Sequence, residues 1–182
     1  LMGTLRAVEI VGLMSGLGFW TRLTGGVAEL GRFARASDAG LPPTARFAAL
    51  AVLVEEDAVR LRDWLRLSNA ETDELTVHAR LLARLRSLPG PLDERAARAL
   101  GADFDGASLA RALTVLDGEA APSVAPGGRA AVEALAAGRA AQPVFPLRGA
   151  DLLALGMDRG PRIGSLLAQA RREWLEVALS AA

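Results

Sequence analysis

Nearly all of the apolar content of this chain sits in residues that favour helix over strand. Half of its 182 residues are hydrophobic, yet only 4% are aromatic and tyrosine is absent. Alanine and leucine dominate, while the strand formers Thr and Ile are scarce. Alanine and leucine give up little side-chain freedom in a helix, so a chain built on them buries its surface most readily as packed helices. The expected class is all-α, a multi-helix array of antiparallel helix pairs. At this length one compact domain, or two small helical lobes, can bury a sizeable core.

Glycine, proline and capping residues then divide the chain. Helices are expected over 5–20 and 24–36, broken at Gly25-Gly26. Pro42-Pro43-Thr44 starts a helix to about Leu67, with Thr44 as N-cap. Ser68 and Glu71 stand in capping-box spacing for the next helix, which runs to about Leu88 and stops at Pro89-Gly90-Pro91. Short helices follow over 93–100 and 105–116. Residues 117–128, rich in Gly, Pro, Ser and Ala, are the best candidate for a mobile loop. They divide a first region, 1–118, from a second, 119–182. A helix over 129–141, an extended stretch over 142–149 and a terminal helical hairpin complete the chain, with no convincing strand pair.

Composition removes several kinds of chemistry. Without cysteine there are no disulfides or thiolate metal sites. The lone His78 cannot build a histidine-rich site and reads as a helix-face residue. All 21 basic residues are arginine, balanced by 21 acids to a formal net charge of zero. Any phosphate contact must therefore be made by a guanidinium fork, and any attraction to nucleic acid must come from a local patch. The apolar run 7–20 is interrupted by Glu9 and glycines and is too short to span a bilayer. With no export signal, the expected location is the cytoplasm.

The richest segment is the last: Phe145-Pro146-Leu147-Arg148-Gly149-Ala150-Asp151-Leu152, then Leu155-Gly156, then Gly160-Pro161-Arg162-Ile163-Gly164-Ser165-Leu166-Leu167, closing on Trp174. Physically this is a short helix whose first turn carries Asp151, a left-handed stop at Gly156, and a restart at Pro161. Gly164, one turn into the last helix, is expected to let two helices approach closely. The segment resembles the tail of bacterial class II tRNA nucleotidyltransferases, the family of CCA-adding enzymes and poly(A) polymerases. Leu65-Arg66-Leu67-Ser68-Asn69-Ala70-Glu71 resembles a turn between two body helices of the same family, and 46–50 and 93–113 match more weakly. The stretch 5–23 is a looser match to the end of the neck. By this resemblance 1–118 is the neck end and body, and 119–182 the tail.

The resemblance implies a poly(A) polymerase C-terminal-region-like fold that docks tRNA, in a protein whose nucleotidyltransferase chemistry lies elsewhere. The family's head, where two Asp on a strand hold Mg2+ and a Gly-Ser loop cradles CTP or ATP, has no counterpart here. The chain opens Leu1-Met2 and reads as a C-terminal fragment with no catalytic residue, cofactor or metal of its own. Asp103-Phe104-Asp105 has the spacing of a metal-binding pair but lies between Gly101 and Gly106 with no strand beneath it, so Asp105 reads as a helix N-cap. Glu56-Asp57-Ala58-Val59-Arg60 matches the family's nucleotide-template spacing out of context, and Glu56 and Arg60 read as an ordinary ion pair one turn apart.

For RNA contact, Arg148, Arg159, Gly160 and Arg162 bracket the tail's glycine turn, where amides at the Pro161 helix start also favour an anion. Arg80 and Arg84 lie one turn apart on the helix after Ser68, with the plain alternative that they only complement the helix dipole. Trp64 and Trp174, with leucines at helical spacing, read as core. The expected partner is tRNA and no membrane; a homodimer stays open. Two other readings remain: a helix-hairpin-helix module gripping duplex backbones without reading sequence, and a helical oligomerisation domain with no nucleic-acid role.

Overall fold

A computed structural model describes residues 2–4 and 6–177. The described residues are helical throughout, with no sheet: α1 Ala7–Gly16, α2 Phe19–Thr24, α3 Leu30–Asp38, α4 Pro43–Ala51, α5 Glu55–Leu65, α6 Asn69–Arg86, α7 Glu94–Gly101, α8 Gly106–Val115, α9 Pro126–Ala136, α10 Gly149–Ala154 and α11 Pro161–Val177. The all-α class expected from composition is the observed one. Among the described residues no helix is long and apolar enough to cross a membrane.

Most helix ends follow from adjacent residues. Ser68 and Glu71 form a reciprocal capping box, the Ser68 hydroxyl accepting from the Glu71 amide and the Glu71 carboxylate from the Ser68 amide at 2.9 Å. Asp93 and Asp105 cap α7 and α8 by accepting from the amides of Ala96 and Ser108, each at 2.8 Å. Other boundaries differ from the sequence reading. The expected first helix breaks at Gly18 (φ 73°), and its proposed first residue, Leu5, lies outside the described residues. The second begins at Leu30, because the chain from Gly25 (φ 68°) to Glu29 connects instead, its Glu29 amide donating to the Leu50 carbonyl at 2.8 Å. The expected long helix ending at Leu67 is two. Val52 and Val54 are extended, and α5 restarts on the acidic turn Glu55-Glu56-Asp57, which suits the positive end of a helix dipole. Thr44 is not the N-cap of α4: Pro42 holds that position and Pro43 is the first helical residue, where proline's missing N–H costs nothing.

The helix α6, about 27 Å long at 1.5 Å per residue, joins two cores. Its first half contributes Leu75 and Ala79 to a core with Val11, Trp20, Phe33, Leu50 and Leu61. Its second half contributes Leu81, Leu82 and Leu85 to a core with Leu92, Leu109 and Val132. Burying each leucine contributes roughly 1.5–3 kcal/mol, so this one helix anchors both halves. A small cluster of Ala36, Ala49 and Val115 closes the seam. So does a bidentate pair from buried Arg32 to Glu119 at 2.6 and 2.7 Å, with Arg35 bonded to the same carboxylate at 2.6 Å.

Residues 119–136, grouped with the tail in the sequence reading, pack into the second core through α9, where Val132 is buried. Two glycines allow this. A Cβ on Gly128 would lie 2.0 Å from the Leu92 carbonyl oxygen, and one on Gly106 2.5 Å from the backbone of Leu135 and Ala136. The preceding loop is pinned by an isolated parallel bridge between Leu92 and Val124.

Candidate nucleic-acid interface

The tail follows a turn over 137–140, with Gly138 at φ 67°, and an irregular stretch over 141–148. Asp151 accepts the Arg148 amide at 2.6 Å and so closes the first turn of α10. At its other end Gly156 adopts φ 87°, its amide donating to Leu153 and the Met157 amide to Leu152, the paired bonds of a Schellman stop. The chain then turns through 157–160 and re-enters helix at Pro161. The two helices meet at Gly149, whose missing Cβ would sit 3.7 Å from Ile163 and 4.0 Å from Leu167. Gly164 does not provide the close approach expected of it: nothing lies within 4 Å of its Cβ position, because it faces away from α10.

No residue of α10 is buried. The hairpin is held to the body at the end of α7. There Arg171 donates to the Ala102 carbonyl and the Asp103 carboxylate, and its guanidinium lies 5.9 Å over Phe145. Phe145 packs against Trp174 at 5.5 Å. Trp174 is thus half-buried on the tail. Trp64, also read as core, is 56% exposed, because its ring rests on Gly25 at the outer side of α2 and α5.

The basic residues fall into two places. Arg159, Gly160 and Arg162 are exposed at the hairpin turn and Arg148 at the other end of α10, and none of these arginines makes an ion pair among the described residues. Arg80 and Arg84 lie on α6, exposed, but Arg80 donates to Glu55 at 2.9 Å. Arg84 lines a groove of about 410 Å³ between α7, the 88–91 turn and the end of α11, where Leu175 and Glu176 form the far wall. From Glu176 back to Arg162 is about 21 Å along α11 at 1.5 Å per residue, so the two basic points sit near opposite ends of that helix. Arg95, on the same groove, was not singled out from sequence; its Nη2 donates to the Glu176 carbonyl at 2.9 Å. An arginine in a helix's first turn, against the dipole, was the available signal.

Other sequence candidates are occupied structurally. Asp103 pairs with Arg171 and Asp105 caps α8, and among the described residues no group of three or more His, Cys, Asp and Glu could hold a metal ion. Arg60 pairs with Asp57 at 2.6 Å, not with Glu56, because its guanidinium must also reach the Thr24 carbonyl. His78 turns inward: it lines a cavity of about 20 Å³ with Glu74, Ser108 and Arg111, and its Nε2 is buried without a partner. Burial, followed by repulsion from Arg32, Arg111 and Arg86, brings its pKa down to about 4. It is neutral near pH 7, and its Nε2 is shut off from solvent although the residue as a whole is only half-buried.

No protein-family model and no curated protein matches the chain.

Proposed function

We propose that this chain is the tRNA-docking helical region of a tRNA nucleotidyltransferase of the CCA-adding enzyme and poly(A) polymerase family, acting for a catalytic head outside these residues. The observation that carries the reading is the hairpin turn. Arg159 and Arg162 stand exposed, with no ion pair among the described residues, around Gly160-Pro161, where a 17-residue helix begins, and Arg148 is exposed at the start of α10. Guanidinium forks bind phosphate oxygens bidentately, and the first amides of a long helix favour the same anion. A second cation, Arg84, lies toward the other end of α11. Basic points toward the two ends of α11 suit a phosphate backbone read by shape, since contacts of this kind carry no base information.

The role of such a region is to hold the tRNA body while its 3′ end reacts elsewhere. Mg2+ and CTP or ATP belong to that distant head. The sequence motifs Leu65–Glu71 and Phe145–Trp174 support this reading over a generic basic surface. The competing helix-hairpin-helix reading shares the turn between α10 and α11 but calls for a duplex DNA ligand.

The test is titration of the chain with tRNA lacking its 3′ CCA, at two salt concentrations, with a DNA duplex of matched length as competitor. Salt-sensitive binding that prefers tRNA is expected. Arg159→Ala with Arg162→Ala should weaken it and lower the salt slope by about 0.9 for each phosphate no longer neutralised. Absence of tRNA binding at either salt concentration, or preference for the DNA duplex, would overturn the proposal.

A further inference from the structure

An unexplained apolar surface lies on α1 and α2, in the part of the fold built on the first core. The helix α1 is apolar almost all round, yet buries only Ala7 and Val11. A helix without a polar face is normally covered on every side. Its outer side presents Leu13 and Leu17, 62% and 72% exposed, one turn apart. The apolar stripe continues through Phe19 and Leu23 on α2, on the side adjacent to buried Trp20 and Thr24. It ends at Val27 and at Trp64, whose ring lies against Gly25.

These six side chains, each at least half exposed, offer on the order of 700 Å². A monomer's largest apolar patch is about 300–600 Å², whereas a standard interface takes about 800 Å² from each partner. The patch is therefore the size of one half of a stable interface. Two further features say what covers it. The six side chains of the stripe carry no charge, and the nearest pair on α1, Arg6–Glu9, is neutralised internally at 2.8 Å. Beside Leu13 and Leu17, Gly12 and Gly16 stand one turn apart with nothing within 4 Å of either Cβ position. A second helix can cross there at short range.

We infer that the α1–α2 face is a homodimer interface, in which α1 crosses α1 of a second copy at Gly12 and Gly16 while Leu13, Leu17, Phe19 and Leu23 pack around the crossing. A two-fold interface places one patch against itself, so it must be self-complementary. An apolar stripe beside a glycine pair meets that condition, with the exposed Arg22 of α2, about 60° and 100° of helix rotation from Phe19 and Leu23, left at its rim. The surface is distant in sequence from the tail arginines, and the inference does not depend on RNA binding.

The experiment is the molar mass of the chain by sedimentation equilibrium, for the wild type and for Leu17→Glu, Phe19→Glu and Leu155→Glu. Leu155 is the control, 81% exposed but on the tail. Circular dichroism establishes that each variant is folded. The expected result is a wild-type dimer that Leu17→Glu and Phe19→Glu each convert to monomer, with Leu155→Glu remaining dimeric. A wild type that stays monomeric at its highest soluble concentration would overturn the inference and leave the face to another polypeptide segment. A dimer that survives both charged substitutions would overturn it equally.

Discussion

Lowering the pH should weaken this fold, and one contribution that can be isolated is that of His78. Its imidazole lies at the seam between the two cores, where Arg32 approaches from α3, Arg111 from α8 and Arg86 from its own helix, with Glu74 on the same cavity. Burial and those three cations hold its pKa at about 4, against 6.5 when exposed. The unfolded chain therefore binds a proton between these values that the folded chain refuses. Stability is complete above the unfolded pKa and is lost as pH falls toward the folded one. From about pH 7.5 to about pH 4.5 the loss from this group amounts to about 2–3 kcal/mol. Carboxylates add to acid destabilisation with the same sign: Glu119, hydrogen-bonded by Arg32, has its pKa lowered. The informative quantity is therefore the difference between wild type and His78→Gln. Urea denaturation at the two pH values should show the variant losing about 2–3 kcal/mol less than the wild type. Equal losses in the two proteins would refute the reasoning.

Two glycine substitutions should behave oppositely. Gly128→Ala places a methyl 2.0 Å from the Leu92 carbonyl oxygen, so the 92–93 backbone must move. A loss of about 3 kcal/mol or more is expected, read from the shift of the urea midpoint. Gly164→Ala meets nothing within 4 Å and sits inside a helix. It should stabilise α11 by about 0.5–1 kcal/mol, measured as slower amide exchange across that helix.

The elements legible in the sequence were those decided within a few residues of chain. The Ser68–Glu71 box, the Asp105 cap, the Gly156 stop and the Pro161 start all stand as read. Each satisfies helix-end amides or carbonyls with groups at most a turn away, so no distant partner is needed. The break at Val52–Val54 was less visible, since a helix across it would also have matched the apolar spacing; the acidic restart was the signal overlooked.

Composition determined the helical class, and local sequence determined where most helices end. Only the tertiary structure decided which surface each residue meets. Trp64 and Leu65 are neighbours of similar apolar character, yet one is open and the other packs against the first core. Arg80 and Arg159 are both solvent-facing arginines, but a glutamate twenty-five residues away neutralises the first, and no described acid pairs with the second. The Arg32–Glu119 pair spans 87 positions. Helix propensity and capping are properties of adjacent residues, whereas burial and charge pairing depend on distances that exist only after the chain has packed.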